Sequence, residues 1–422
     1  MLGTALATSL GVLASTVSAG DCDETAGAIA CTASPDAAGQ DDAQRYDGSY
    51  SSLQVAAGGG IDTRGVLYAS GAEVPPGIVI VTTSDFVADN DGLIGGGSSA
   101  LYVRGDGDVS LTLTNNNEIV SNLGDGIFAA AGGDIVINNN GDISGLYGIT
   151  ADSANGGVNI TTAAGSVTAG QVVSERPVLV GSPEVAGSPT YAGYEDWTSG
   201  VGIQAATRGT GLSIETGDDS EVSGHSGIVA ESDGTGDLTI TTGARSVVAA
   251  GGMTEIGPDL FWPGGAAISA AAGVDVSNVR IETGESSEVG SRTTASLGIA
   301  LNSLGVGPTS ILVGDNASVG ATGFGIINLT NSDVSEIATG TGSRVEAGLI
   351  GISSISSGGV VLDTNTGQFS DSGRRPEQNI SVGEGGLVTG GWVGVSAQSL
   401  GGIVNIDTGT GSEVIALDDP DP

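Results

Sequence analysis

A chain of 422 residues with 75 glycines, 4% aromatic residues and 39% hydrophobic residues builds any core from small and β-branched side chains, which suits stacked strands better than one large globular core. Its formal charge of −38 comes from 49 acidic residues against 11 basic ones, every one an arginine, and a field of that sign repels phosphate backbones and excludes nucleic acid as a partner. Hydrophobicity this high also excludes a disordered chain, which combines low hydropathy with high charge. The acids serve to keep an edge-rich surface soluble. Surface binding of divalent cations is the alternative, but Asp89, Asn90, Asp91 and Gly92 lack the alternating ligand spacing of a calcium loop. No metal site and no cofactor is expected.

Residues 1–19, MLGTALATSLGVLASTVSA, read as the apolar region and small-residue cleavage site of a signal peptide. No Lys or Arg precedes the apolar stretch, so the signal is read as truncated. Export places Cys22 and Cys31 in an oxidising compartment, where they are expected to form a disulfide, with two free thiols as the alternative. Residues 20–75 are expected to cap the N-terminal end.

Between residues 76 and 416 the chain repeats itself. The box Gly126-Ile127-Phe128-Ala129 returns at Gly148-Ile149, Gly202-Ile203, Gly227-Ile228, Gly298-Ile299, Gly325-Ile326, Gly351-Ile352 and Gly394-Val395, with weaker copies at Ala100-Leu101 and Ala267-Ile268. A second alternating run follows each box, as in VNITT at 158–162, LSIET at 212–216 and VRIET at 279–283. A third, shorter run closes the unit, as in SEVSG at 220–224 and SRVEAG at 343–348. Three period-2 stretches separated by Gly, Asp, Asn or Ser make three strands and three turns per unit. One unit cannot bury its inner side chains alone. Stacking lets each strand pair in parallel with its equivalent one unit along, at about 4.8 Å, so about ten units give a rod roughly 50 Å long. The fold expected is all-β, a single-stranded parallel β-helix of about ten coils. Helices are excluded by the apolar period of 2 and by glycine in nearly every short window. The runs Asn115–Asn117 and Asn138–Asn140 are spaced as one unit; they stack as a hydrogen-bonded ladder or reflect the turn preference of Asn.

The spacing lengthens in three places, near residues 171–200, 251–265 and 365–379, which reads as three loops thrown out from single coils; residues 417–422 form a tail. These loops hold Tyr191, Tyr194, Trp197, Phe261, Trp262 and Phe369, and half of the chain's 12 prolines. Aromatic residues concentrated on loops mark a recognition surface, and Tyr191, Tyr194, Trp197, Phe261 and Trp262 are the expected contact residues. The alternative is that the loops fold back over a flank of the rod.

The GI-x-A, VxIxT and GSxV cadence, the small-residue leader and the start AGDCDETAGAIACT resemble passenger regions of bacterial autotransporter proteins. The resemblance covers roughly residues 20–416. It implies a right-handed parallel β-helix, transport across the outer membrane, and display at or release from the cell surface for adhesion or self-association. The partners it implies are host or neighbouring cell surfaces, other copies of the chain, and glycans. Family members end in a membrane β-barrel, whereas this sequence reaches LDDPDP with the repeat still running. Either the sequence is a fragment whose outer-membrane barrel follows, or export takes another route.

Chemistry has little to stand on. His225, the single histidine, follows Asp218 and Asp219 in DDSEVSGHSG. This resembles the motifs of polygalacturonase-like β-helix glycosidases, where the carboxylates act as acid and base. A polysaccharide-degrading enzyme, hydrolase or lyase, is therefore the second reading. It lacks the lysine such sites use for acidic sugars, and a chain of charge −38 repels polyuronates. A GxSxG elbow is missing, and one histidine cannot make a His-rich metal site. The glycine clusters 58–60 and 95–97 precede no helix, so they are turns and not phosphate cradles. The first reading is thus a non-enzymatic exported rod with no catalytic residues, and a bare structural spacer is a third.

Overall fold

The computed structural model describes residues 22–35, 43–64, 74–170, 176–180, 190–195, 200–251, 254–257, 260–262, 264–358, 360–363, 368–371 and 373–417. The leader and all but the first residue of the 417–422 tail lie outside them.

Alternation decides the fold. In Leu111–Asn115 and Ile135–Asn139, buried and half-exposed residues alternate strictly, so one set of side chains faces inward and the other outward. The three runs of a unit belong to three different sheets, named here by their sequence boxes. The GI sheet and the GSxV sheet hold 12 strands each, and the IxT sheet holds 14. Each strand pairs in parallel with its equivalent in the coils before and after. Ile135, for example, sits opposite Leu111 on one side and Val158 on the other. The result is a parallel β-helix, and the inward isoleucines stack rung on rung. Ile127, Ile149, Ile203, Ile228, Ile268 and Ile299 form one continuous column, each at most 1% exposed. Burying each such side chain stabilises by about 1.5–3 kcal/mol.

There are twelve complete coils rather than about ten, which makes the rod about 58 Å long. Two escape the cadence. One is built on Gly77-Ile78, where Ile78 pairs with Leu101. The first places Gln44 and Tyr46 opposite Ile78 and Ile80, so the inward positions of its GI strand are polar or aromatic and the GI box is disguised. The helix therefore starts well inside the 20–75 segment. Before it stands a short antiparallel hairpin, Asp23–Thr25 with Ala28–Cys31, whose second strand joins the IxT sheet. Cys22 and Cys31 are joined by a disulfide, closing this hairpin over the end of the rod.

The recurrent glycine of the GI box has a steric reason. A Cβ at Gly148, Gly202, Gly298 or Gly351 would lie 2.5–2.8 Å from the backbone oxygen of the matching glycine one coil on. The turn between the IxT and GSxV sheets has its own rule. Gly165, Asp219, Arg245, Ser286, Asn316, Gly342, Gly385 and Gly411 occupy its αL position, with φ between +54° and +74°. Where a serine follows, it bonds back, as Ser220 Oγ does to the Gly217 carbonyl at 2.7 Å and Ser246 Oγ to that of Gly243 at 2.8 Å.

The asparagine runs do stack, in a register of 24 residues. Inside the rod Asn90 Nδ2 donates to Asn115 Oδ1 at 2.7 Å, Asn115 Nδ2 to Asn139 Oδ1 at 2.8 Å, and Asn139 Nδ2 to Thr168 Oγ1 at 3.1 Å. An outer file runs beside it, with Asn140 Nδ2 donating to Asn116 Oδ1 at 2.7 Å and Asn116 Nδ2 to Asp91 Oδ1 at 2.8 Å.

The coil is interrupted at residues 171–200, 251–263 and 357–376. The third interruption begins earlier than the 365–379 span read from sequence, because Glu377–Val382 already belongs to the IxT sheet. Each interruption contains a two-stranded antiparallel hairpin: Arg176–Val180 with Thr190–Glu195, Thr254–Gly257 with Leu260–Trp262, and Val360–Asp363 with Gln368–Asp371.

Candidate functional site

The three hairpins do not leave the rod at random. The first lies between the GSxV strand Val167–Gly170 and the GI strand Val201–Thr207, and the second between Val247–Ala250 and Gly264–Ala272. Both therefore spring from the corner joining the GSxV and GI sheets, two coils or about 10 Å apart. The third leaves the corner between the GI and IxT sheets. Tyr191 and Tyr194 belong to the second strand of the first hairpin, opposite Leu179 and Pro177 in register. Phe261 and Trp262 belong to the second, opposite Glu255 and Thr254. Phe369 lies in the third, opposite Leu362. Trp197 falls outside the described residues.

Between the two neighbouring hairpins, on the same corner, sits the segment Gly224-His225-Ser226. It holds the base of each. Ser226 N–H donates to the Gly200 carbonyl at 3.1 Å, Gly251 N–H to Gly224 at 2.8 Å, and Gly265 N–H to His225 at 2.8 Å. The His225 Nδ1 atom is buried with no hydrogen-bond partner, and burial lowers the pKa of the ring below its ordinary value. The histidine thus occupies the joint between the two hairpins.

It does not meet Asp218 and Asp219. Those two residues form the turn between the IxT and GSxV sheets, and the strand Glu221–Gly224 separates them from His225. Arg245, one coil on, grips Asp219 through two contacts of 2.7 Å and holds its carboxyl below the ordinary value. Asp218 Oδ1 accepts the Ala244 N–H at 2.8 Å. The carboxylates serve the turn, and neither is brought to His225. Cations are committed as well: Arg45, Arg64, Arg104, Arg245, Arg280 and Arg374 each pair with an Asp or Glu.

The periodic reading of the chain passed over two features. Tyr102 and Phe128 follow the inward Leu101 and Ile127, so they lie on the outer side of the GI sheet. Their rings stack at 4.5 Å with planes 7° apart. The signal was available, since both occupy the position directly after the box residue. Close by, Asp125 accepts Thr150 Oγ1 at 2.6 Å and Ser99 Oγ at 3.4 Å. Burial raises its pKa above the ordinary value, against the opposing effect of those hydroxyls. Nothing in the sequence flags Asp125, because its surroundings come from coils 25 residues away on either side.

Among the described residues no group of three or more His, Cys, Asp or Glu could hold a metal ion, and no helix is long and apolar enough to cross a membrane. No protein-family model, no curated protein and no solved structure matches the chain.

Proposed function

We propose that the chain is an exported cell-surface rod of the autotransporter-passenger kind, acting in adhesion or self-association without catalysis. The observation that carries this reading is the pairing of two hairpins on one corner, joined at His225. A uniform twelve-coil support holds them at fixed spacing, which suits multivalent contact with another surface. Aromatic residues within both hairpins, Tyr191 and Tyr194 in the first and Phe261 and Trp262 in the second, are of the types that dominate contact energies. The separation of Asp219 from His225, and its engagement with Arg245, argue against the glycosidase reading.

The test displays the chain on a cell and replaces residues 171–200 and 251–263 with short turns, alone and together. Adhesion or autoaggregation should fall at least about tenfold in the double replacement while the strand content by circular dichroism is kept. Undiminished adhesion would leave the rod as a spacer, and no difference between cells with and without the whole chain would sink the proposal.

A further inference from the structure

A second corner carries a feature that the hairpins do not use. Along the boundary of the GI and IxT sheets, four successive coils place Asp134, Gly157, Gly211 and Asp237 in one file, each directly before the paired residues Ile135, Val158, Leu212 and Leu238. The two middle rungs have no side chain, so a trough of about 550 Å³ opens between the terminal carboxylates. That volume falls within the range of small-ligand sites. Three rungs separate the two aspartates, about 14 Å along the rod. The next file, Val136, Asn159, Ser213 and Thr239, lines the trough on the IxT side, and Thr210 borders it at the turn.

We infer that this trough is a binding site for a neutral polysaccharide chain lying parallel to the rod axis; its biological role rests on the adhesive reading, its geometry does not. The lining supplies hydroxyls, an amide and carboxylates, which accept from and donate to sugar hydroxyls. Asp134 spends one oxygen on the Gly157 N–H at 2.8 Å, and Asp237 spends one on Asn278 Nδ2 at 2.7 Å. The other oxygen of each accepts no hydrogen bond from the described residues. No basic residue lines the trough, and Arg280, one rung beyond Thr239, is held by Glu282, so phosphates, sulfates and uronates meet the two aspartates without a cation to pair with. The strands on its floor are paired on both sides, which leaves no free backbone edge for a peptide. Val136 offers an apolar contact for the face of a sugar ring.

Gly157 gives the decisive substitution. Its φ is not in the left-handed region, and a Cβ there would come 3.2 Å from the Gly211 oxygen, 3.3 Å from Thr210 Oγ1 and 3.8 Å from Asp134 Oδ1. Gly157→Leu thus fills the trough, with the Gly211 carbonyl and Thr210 giving way by a few tenths of an ångström. Thr239→Arg, on an outward position, is a second variant that leaves the core alone. Binding of neutral hexose tetraoses, α- and β-glucan and β-mannan, is measured by calorimetry on the full chain, with galacturonate tetraose as the charged control. At least one neutral tetraose should bind, at least tenfold more weakly to either variant, and galacturonate should not bind. The chain lacking both hairpins should keep the sugar affinity even if adhesion is lost, which separates this inference from the adhesive reading. Absence of binding by every neutral tetraose, equal binding of galacturonate, or wild-type affinity in a folded Thr239→Arg variant overturns it.

Discussion

Single residues in this fold are chosen by the coil above as much as by their own neighbours. The αL position of the IxT-to-GSxV turn is held by glycine in some coils and by Asp219, Arg245, Ser286 or Asn316 in others. Gly385 has φ +63° and nothing near a would-be Cβ, so Gly385→Ala isolates the backbone term. It should destabilise by about 1 kcal/mol, while Ser286→Gly, φ +57°, should be neutral or stabilise by up to about 1 kcal/mol. Urea unfolding measures both, and equal loss in the two variants would contradict the turn assignment. Asp125 makes a prediction of opposite character. Burial holds its pKa above the ordinary 3.8, so the folded chain keeps that proton more tightly than the unfolded chain. The stability it contributes is complete below the unfolded value and is lost as pH rises through the raised folded value. Asp125→Asn keeps an acceptor for Thr150 and cannot ionise. The melting temperature of the variant relative to the wild type should therefore grow between pH 4 and 7, and a flat difference would contradict the burial.

At the scale of the element, the asparagine ladder shows how a repeat can carry polar side chains in its interior. Asn115 is 1% exposed and bonds to a partner in the coil on each side. Asn115→Ala leaves Asn90 without its acceptor and Asn139 without its donor, and should destabilise by about 2–4 kcal/mol. Asn140→Ala removes only the exposed outer bond and should cost less than about 1 kcal/mol. Similar losses in the two would show that the inner file is not special. The strands and their sheets were legible in the sequence because period-2 alternation and the GI box are local signals. The twin hairpins at residues 171–200 and 251–263 were legible as interruptions, but their shared corner was not. That corner follows from the order of three sheets, which no single window states. Asp218 and Asp219 stand apart from His225 for the same reason: proximity in sequence to it spans a whole strand and two turns. The trough between Asp134 and Asp237 was invisible because it is the absence of two side chains on successive coils.

At the largest scale the described residues form one rod, covered at its start. The disulfide-bonded hairpin and the first GI strand, where Tyr46 Oη bonds to Gln44 Oε1 at 3.1 Å, cover the apolar column at the start. The last described coil, at residues 392–417, carries Trp392, Ile403, Ile406, Val414 and Leu417 as exposed apolar side chains. What unites the two ends, the ladders and the two corners is in-register parallel stacking at about one coil per 25 residues. Paired cysteines on outward positions test it most directly, since a disulfide demands Cα atoms about 4.4–6.8 Å apart. Thr112 pairs with Val136 and Thr114 with Asn138. The double variants Thr112→Cys/Val136→Cys and Thr114→Cys/Asn138→Cys should both oxidise readily in the folded chain, while Thr112→Cys/Asn138→Cys and Thr114→Cys/Val136→Cys should not. Ready closure of the second set with failure of the first would mean antiparallel or shifted pairing, and would contradict the β-helix itself.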